Sequence, residues 1–217
     1  FDSLGAVREI EDSGARVKKL LSFDDDAAKI AWQATADTLL YSATLLGEIC
    51  DDVVAIDNAM KWGYGWDQGP FETWDSIGVA ESVQRMRADG LTVPAVVEQA
   101  VKAGGWYHRE GGVTRFLDAT GNGELKAVPQ PKGSLFLADV RDRGGVVKKN
   151  MGATLLDLGD GCLGLEFHTK MNSLDNDIIG LYADALDLLD GSDDWAALVV
   201  GNEGAAFSAG ANIMLVM

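Results

Sequence analysis

The spacing of the apolar residues changes near Gly152, and this change restricts the possible folds more than any other feature of the chain. Before Gly152, apolar residues recur at intervals of three or four, which is the spacing of one face of a helix. These residues are Leu45, Ile49, Val53, Ile56 and Met60. After Gly152, residues 153–158 and 162–167 form two short apolar runs around Gly159-Asp160-Gly161, a sequence typical of a hairpin turn. The sequence therefore predicts an α+β fold, with helices first and strands afterwards.

Residues 27–104 are predicted to be helical, and residues 1–21 to be a loop and a helix end. Residues 22–25 can cap the first long helix, because serine and aspartate side chains accept hydrogen bonds from the first helical amides. That helix is expected to carry the apolar stripe described above. The predicted helices end at glycines, which readily adopt the left-handed conformation of a helix C-cap: Gly63 with Gly65, Gly90, and Gly104 with Gly105.

The later part of the chain is predicted to fold in the order strand, strand, helix and strand. The helix would be capped by Asn172 or Ser173 and end at Gly191, and residues 196–200 would form the last strand. Upstream, residues 106–117 suggest a hairpin and residues 118–134 have the composition of a loop. The predicted domains are a helical domain, a hairpin with a connector, and a strand-containing domain, at residues 1–104, 105–150 and 151–217.

The chain is strongly acidic, with a formal net charge of −16. Nucleic acids and anionic membrane surfaces bind basic patches, so this charge argues against both as partners. No apolar run reaches the roughly 18 residues that a membrane-spanning helix needs. Cys50 and Cys162 lie in apolar stretches and are expected to be buried thiols in a reducing cytoplasm, not a disulfide or a metal pair. A start at Phe1 without a secretory signal suggests a piece of a longer protein.

A loop of small residues follows the apolar run at 195–200, with the sequence Phe207-Ser208-Ala209-Gly210-Ala211-Asn212-Ile213. Such a loop leaves backbone amides accessible, and these can stabilise the oxygen of a thioester when charge develops on it. An ordinary strand-to-helix turn would have a similar composition. Together with residues 157–174, the loop resembles the opening of the crotonase (enoyl-CoA hydratase/isomerase) fold, whose usual phrase is Phe-x-Ala-Gly-Ala-Asp. Asn212 stands where that family has aspartate.

The crotonase resemblance implies roles for the residues of this loop. The N–H of Ala211 would be one of two donors to the thioester oxygen, and Ser208, Ala209 and Gly210 would lie beside CoA. Lys170 is a candidate contact for a CoA phosphate, and a solvated surface lysine is the alternative. In that family the second donor and the catalytic glutamates come from a segment further along the chain. We therefore expect no hydratase activity from this chain alone, and both hydratase and isomerase chemistry fit its parent.

A second resemblance covers residues 48–79, where Gly63-Tyr64-Gly65-Trp66 precedes Gly69-Pro70-Phe71. This stretch resembles the C-terminal helical domain of 3-hydroxyacyl-CoA dehydrogenases. The order of the two parts is similar to bacterial and archaeal bifunctional 3-hydroxyacyl-CoA dehydrogenase/enoyl-CoA hydratases. The resemblance implies an NAD-dependent parent enzyme and a homodimer formed through the helical domain. The glycines at 63, 65 and 69 do not fit the Gly-x-Gly-x-x-Gly fingerprint, so NAD binding by this chain itself is not expected.

The resulting hypothesis is a piece of a fatty-acid β-oxidation enzyme that acts on acyl-CoA thioesters, with NAD in the parent enzyme and no metal. The alternative is a non-catalytic dimerisation or acyl-CoA-binding module. A third possibility is that a strand edge in residues 151–217, with the apolar tail 213–217, pairs with another chain.

Other conspicuous residues are expected to have structural or surface roles. Neither His108 nor His168 has a partner at ligand spacing. Three tryptophans around the glycine turn are predicted to pack in the core: Trp62, Trp66 and Trp74. The pair Lys148-Lys149 is predicted to lie in a solvated linker.

Overall fold

The computed structural model describes residues 1–203 and 206–211. The chain divides into two compact units, one of Phe1–Arg109 with Thr114–Val128 and one of Glu110–Val113 with Pro129–Met217. Helices and two sheets are both present, which confirms the α+β fold. The three-part division at residues 104 and 150 stays a prediction. Within the described ranges, no helix is both long enough and apolar enough to cross a membrane.

The first unit is mostly helical, and a small sheet follows its helices along the chain. The helices are α1 (Asp2–Ala6), α2 (Ser13–Leu20), α3 (Asp26–Leu45), α4 (Val53–Tyr64), α5 (Pro70–Ile77), α6 (Val79–Ala88) and α7 (Val97–Ala103). The sheet has the order β1-β2-β3, with strands β1 (Tyr107–Glu110), β2 (Val113–Leu117) and β3 (Leu125–Ala127). Helices α1 and α2 and strand β3 were not expected as complete elements from the sequence.

Several helix ends agree with the sequence. Asp25 caps α3 by accepting a hydrogen bond of 2.9 Å from the Ala28 amide. Gly65 ends α4 with φ of 68°, and Gly104 ends α7 with φ of 85°, in the left-handed region where glycine is favoured.

The single long helix predicted across residues 45–60 is wrong, because the chain leaves the helix between α3 and α4. Gly47 has φ of 88°, which a helix cannot accommodate. Asp52 then caps a new helix by accepting a hydrogen bond of 2.8 Å from the Ala55 amide. Ile49, placed on the predicted stripe, lies in this connection and is 63% exposed.

The core of the helical unit centres on three aromatic side chains that are fully buried, Phe71, Trp74 and Trp106. The Trp106 ring lies 4.7 Å from that of Phe71 and 5.7 Å from that of Trp74, measured between centroids. The predicted core position of Trp74 is therefore confirmed. Trp62 and Trp66 are 81% and 41% exposed, so their predicted burial is wrong. Helix α4 buries Val53, Ile56 and Asp57, and Trp62 projects from another side of the helix.

In its described residues, the second unit contains a four-stranded sheet, two α-helices and a short 3-10 turn. Its elements are α8 (Leu137–Asp142), β4 (Val146–Lys149), β5 (Ala153–Gly159), β6 (Cys162–Phe167), α9 (Asn176–Gly191) and β7 (Ala197–Val200). The strand order is β4-β5-β6-β7, antiparallel except for the parallel pair of β6 and β7. One face of the sheet packs against the apolar stripe of α9, whose buried residues are Ile178, Leu181 and Ala185.

The predicted hairpin, helix and final strand of this unit are present, with three corrections. Helix α8 was not foreseen, and Lys148-Lys149 lies in strand β4 instead of a linker. The cap of α9 is Asp175, which accepts a hydrogen bond of 3.0 Å from the Ile178 amide, and not Asn172 or Ser173. Met171 and Asn172 are left-handed, with φ of 57° and 52°, so a right-handed helix cannot begin there.

Candidate functional site

The glycine-containing loop follows the carboxyl end of β7, beside the end of the parallel strand β6. The ladder aligns Leu165 with Val200, and the Gly201 amide extends it by donating to the Leu165 carbonyl at 3.1 Å. The described part of the loop is residues 206–211. In sheets with parallel strands, ligands bind outside the carboxyl ends of the strands. The loop therefore occupies a position where binding residues collect.

Asn202 joins the loop to the last residue of β6. Its amide oxygen accepts a hydrogen bond of 2.7 Å from the Phe167 N–H, and its amide nitrogen donates one of 2.6 Å to the Phe207 carbonyl. The rings of Phe167 and Phe207 contact each other, with centroids 5.9 Å apart. Sequence reasoning missed Asn202, although an asparagine directly after an apolar strand is a recognisable signal.

A left-handed turn on the other side of the loop supplies further contacts. Asn172 adopts this conformation more readily than most residues, because its short polar side chain bonds locally. Its side-chain nitrogen donates to the Ala206 carbonyl at 3.0 Å, and its carbonyl accepts from the Ser208 hydroxyl at 2.7 Å. The carbonyl of Met171 accepts from the Ala209 amide at 3.0 Å. The loop is thus held by side chains and backbone of residues 171–172.

The amides of the loop differ in whether they are already bonded. Those of Ala209 and Gly210 are used within the structure, since Gly210 N–H donates to the Ser208 hydroxyl at 3.0 Å. Leu174 N–H donates to the Gly210 carbonyl at 2.9 Å and forms a parallel bridge with Ala211. In that register the residue opposite Leu174 turns its own N–H away from it. Among the described residues, the Ala211 amide accordingly has no backbone acceptor, and Ala211 is exposed.

Lys170 and His168 lie on the segment between β6 and α9. Lys170 is exposed at the start of a short 3-10 turn, Lys170–Asn172, and has no salt bridge to any described residue. The His168 ring nitrogen Nε2 lies 2.6 Å from the hydroxyl of Thr154 and 3.9 Å from the carboxylate of Glu166. Glu166 is buried and pairs with Arg141. The structure therefore places His168 in a polar cluster on the sheet, and the loop contact at the end of β6 is made by Phe167.

Other residues that the sequence singled out have simpler surroundings. The Nε2 atom of the His108 ring lies 3.3 Å from the backbone carbonyl of Gly105. Cys50 and Cys162 are free thiols, as expected, but both are half-buried instead of fully buried. Burial raises the pKa of the Cys50 thiol. Asn212 and the apolar tail 213–217 lie outside the described residues. Within residues 1–203 and 206–211, no group of three or more His, Cys, Asp and Glu side chains could hold a metal ion together.

The Gly69-Pro70-Phe71 sequence of the helical unit packs against the buried carboxylate of Asp57, and this contact explains the glycine. A Cβ atom at Gly69 would lie 2.3 Å from the Cα of Asp57, so only glycine fits there. Asp57 is 0% exposed and accepts hydrogen bonds from the amides of Phe71 at 2.8 Å and Glu72 at 3.1 Å. These are free amides of the first turn of α5, which Asp57 satisfies from a distant part of the chain.

Polar contacts connect Asp57 on α4 to α5 and to β1. Its carboxylate accepts a hydrogen bond of 2.7 Å from the Tyr107 hydroxyl. Asp75, on α5, accepts from the amides of Trp106 at 2.8 Å and Tyr107 at 2.7 Å. Glu72 accepts from the Gly69 amide at 2.9 Å and pairs with Lys61 at 2.5 Å. Sequence reasoning missed this network. Its available signal was an aspartate at 57 on the inward face of α4, four residues after Val53.

Burial changes the acidity of these groups. It raises the pKa of Asp57 from 3.8 to about 7, although the hydrogen bond from Phe71 opposes the change. It also raises the pKa of Asp75 to about 6, against the hydrogen bond from Trp106. Burial and the charge of Asp57 raise the pKa of the Tyr107 phenol. Asp75 lines a cavity of about 320 Å³, but both its oxygens already hold the start of β1, which indicates a structural role.

Comparison with known proteins finds similarity along almost the whole chain. A Bacillus subtilis protein named as a probable 3-hydroxyacyl-CoA dehydrogenase is 39% identical over 217 residues, which are 99% of this chain. A Rickettsia felis protein named as a fatty acid oxidation complex trifunctional enzyme is 25% identical over 223 residues, again 99% of this chain. The chain spans only 27% and 26% of the lengths of these two relatives. No family model matches the chain. No solved structure matches it.

Proposed function

We propose that this chain is part of a fatty-acid oxidation enzyme that oxidises 3-hydroxyacyl-CoA with NAD. The observation that carries this proposal is the similarity over 99% of the chain to a protein named as a 3-hydroxyacyl-CoA dehydrogenase. The second relative, named for a fatty acid oxidation complex, supports the same class of metabolism. NAD would bind another part of the enzyme, because the glycines at 63, 65 and 69 lack the dinucleotide-binding pattern.

The second unit would contribute to a site for acyl-CoA thioesters, of the hydratase or isomerase type. Ala211 would donate its N–H to the thioester oxygen, while Ser208, Ala209 and Gly210 would line the path of CoA. The outward direction of the Ala211 amide and the exposure of the loop support this assignment. Removing one such donor from an acyl-transfer site typically costs about 3–4 kcal/mol of barrier. A site with this donor alone would therefore bind a thioester without turning it over.

Lys170 would contact a phosphate of CoA. Its exposure and the lack of a salt bridge to any described residue leave its ammonium group available for an anion. The effect would be electrostatic, since an ammonium group acts as a compact point charge. Replacing Lys170 should therefore weaken binding of the complete CoA ester and leave binding of its phosphate-free part unchanged.

The helical unit would serve as a dimerisation surface, and an apolar groove along α3 supports this role. The groove consists of two cavities of about 270 and 230 Å³ that share Thr38 and Pro70. Tyr41, Ile49 and Trp66 line it and are 67%, 63% and 41% exposed. Contiguous exposed apolar surface is typical of protein–protein interaction sites. This groove also favours the second candidate function, a non-catalytic dimerisation or acyl-CoA-binding module.

Calorimetric titrations test the proposed thioester site in the chain as it stands. We expect acetoacetyl-CoA to bind and NADH to give no heat. Lys170→Ala should weaken the binding of acetoacetyl-CoA. It should leave the binding of acetoacetyl-pantetheine unchanged, because that compound lacks the phosphates. Lys149→Ala, another exposed lysine of the same unit, is the matched control. No heat with acetoacetyl-CoA, or equal losses for both variants, would remove the support for a CoA site at residues 208–211.

Two further measurements separate the candidate functions. We expect no turnover of an enoyl-CoA by the isolated chain, and substantial turnover would contradict the incomplete-site proposal. Light scattering should detect a dimer that Trp66→Ser weakens. A dimer with no acyl-CoA binding would favour the dimerisation module, and a monomer at high concentration would contradict the proposed interface.

A further inference from the structure

A cavity of about 330 Å³ lies in the helical unit where the end of α2 meets α3, α5 and α6. We refer to it as the α2–α6 cavity. Leu21, Trp32 and Ile77 give it apolar walls, and Lys18, Arg85 and Ser22 also line it. Its volume is near the lower end of the range of small-molecule pockets, about 300–1,000 Å³. A ligand that fits here is small and has both an apolar and a polar part.

The guanidinium of Arg85 is held in a fixed position in this cavity. It donates a hydrogen bond of 2.9 Å to the Leu21 carbonyl and lies 4.1 Å above the Trp32 ring. The indole N–H of Trp32 is in turn held by Asp89 at 2.6 Å. A guanidinium has five N–H donors, and Arg85 has no salt bridge to any described residue. Its charge is therefore preorganised, with donors left over for a ligand.

The electrostatic surroundings of the cavity differ from those of the chain as a whole. The chain has a net charge of −16, whereas α2 carries Arg16, Lys18 and Lys19. None of these three pairs with a carboxylate among the described residues, and Arg16 bonds only to backbone carbonyls. The charged groups that line the cavity are Lys18, Arg85 and Glu81, two cations against one anion. A positive site in an acidic protein favours an anion over a cation or a neutral molecule.

We propose that the α2–α6 cavity binds a small amphiphilic anion, namely a carboxylate or phosphate head group on a short alkyl chain. The head group would lie between Lys18 and Arg85, and the alkyl chain would contact Leu21 and Ile77. An aromatic ligand stacked on Trp32 is disfavoured for two reasons. Arg85 already covers the Trp32 ring, and Trp32 is only 7% exposed. This assignment does not depend on the function proposed above.

Calorimetry with octanoate and octyl phosphate tests the proposal, with octan-1-ol and acetate as the separated halves of the ligand. We expect at least one of the two anions to bind, and octanol and acetate to bind about tenfold more weakly or worse. The tighter of the two anions identifies the head group. If octan-1-ol bound as tightly as the anions, the cavity would recognise only the alkyl chain, and the proposal would be overturned. No heat from either anion at millimolar concentration would also overturn it.

Two variants and a control place the ligand in this cavity. Lys18→Ala should weaken binding about tenfold, whereas Lys19→Ala should leave it unchanged, since Lys19 lies over Phe23 and does not line the cavity. Ile77→Phe should fill the cavity and abolish binding, with circular dichroism as the check on folding. The indole N–H signal of Trp32 should shift on binding in an NMR titration. Equal effects of the two lysine variants, or an unmoved Trp32 signal, would overturn the assignment.

Discussion

The hydroxyl of Tyr107 donates a hydrogen bond of 2.7 Å to the fully buried carboxylate of Asp57. This bond connects the first strand of the small sheet to a helix fifty residues earlier in the chain. The same carboxylate caps α5 through the amides of Phe71 and Glu72. One aspartate therefore fixes the relative positions of α4, α5 and β1 in the helical unit.

Tyr107→Phe should destabilise the helical unit by about 1.5–3 kcal/mol, because a buried charged group loses a donor that nothing replaces. Urea denaturation at pH 8, where Asp57 is mainly ionised, measures the change. Tyr41→Phe is the control, since Tyr41 is 67% exposed. A stability equal to that of the control would show that Asp57 does not depend on the tyrosine.

The stability of the helical unit should fall as the pH rises from about 5 to 8. The pKa values of Asp57 and Asp75 are raised from 3.8 to about 7 and about 6, so in this range the folded state holds protons that the unfolded state has released. Each carboxyl group makes its full contribution to stability below its pKa in the unfolded state. That contribution is lost as the pH rises through the pKa of the same group in the folded state. The slope for each group is at most about 1.4 kcal/mol per pH unit.

Asp57→Asn tests the origin of this pH dependence. It should reduce the slope in urea denaturation between pH 5 and 8, because an amide does not titrate there. Asp37→Asn, at an exposed position on α3, should leave the slope unchanged. If Asp57→Asn kept the full change of stability with pH, that change would have to come from Asp75 or from another group.

Gly69→Ala should be strongly destabilising, by about 3 kcal/mol or more, because the new Cβ would lie 2.3 Å from backbone and side-chain atoms of Asp57. Gly63→Ala is the matched control within the same glycine-rich sequence. Gly63 lies in α4 with no atom within 4 Å of the new Cβ, so alanine should stabilise the helix by about 0.5–1 kcal/mol. Thermal denaturation compares the melting temperatures of the two variants. Similar melting temperatures would contradict the packing argument for Gly69.

The sequence predicted the fold where local residues determine it. Asp25, Gly65 and Gly104 set helix ends through their own side chain or their own backbone freedom, and all three are in place. The long helix failed because Leu45 and Val53 keep helical spacing across a break that Gly47 and Asp52 impose. Hydrophobic periodicity does not register such an interruption when both segments bury the same kind of face.

The site was harder to foresee because its contacts join distant parts of the chain. The small-residue loop could be found by composition, but the groups that hold it, Asn202 and Asn172, act through geometry. Asp57 and Tyr107 are fifty residues apart, and nothing local indicates their hydrogen bond. Trp62 shows the opposite error, since a large aromatic residue was expected to be buried and its position on α4 exposes it.

Asn202→Ala should loosen the loop at residues 206–211 without unfolding the sheet. The substitution removes both hydrogen bonds of the Asn202 side chain, to the Phe167 amide and the Phe207 carbonyl. Hydrogen exchange of the Phe167 amide and of the loop amides should become about tenfold faster, because each local opening then costs about 1.4 kcal/mol less. Mass spectrometry on peptides that cover residues 163–211 measures this change.

Two controls make the role of Asn202 specific. Asn202→Asp keeps the acceptor for Phe167 and loses the donor for Phe207, so it should speed up exchange in the loop while the Phe167 amide stays protected. Asn122→Ala removes an exposed asparagine that accepts a bond from the Glu124 amide in the helical unit and should leave the loop unchanged. If the proposed CoA site is correct, Asn202→Ala should also weaken acetoacetyl-CoA binding in parallel with the loss of protection. Unchanged exchange in Asn202→Ala would mean that the turn at residues 171–174 holds the loop by itself.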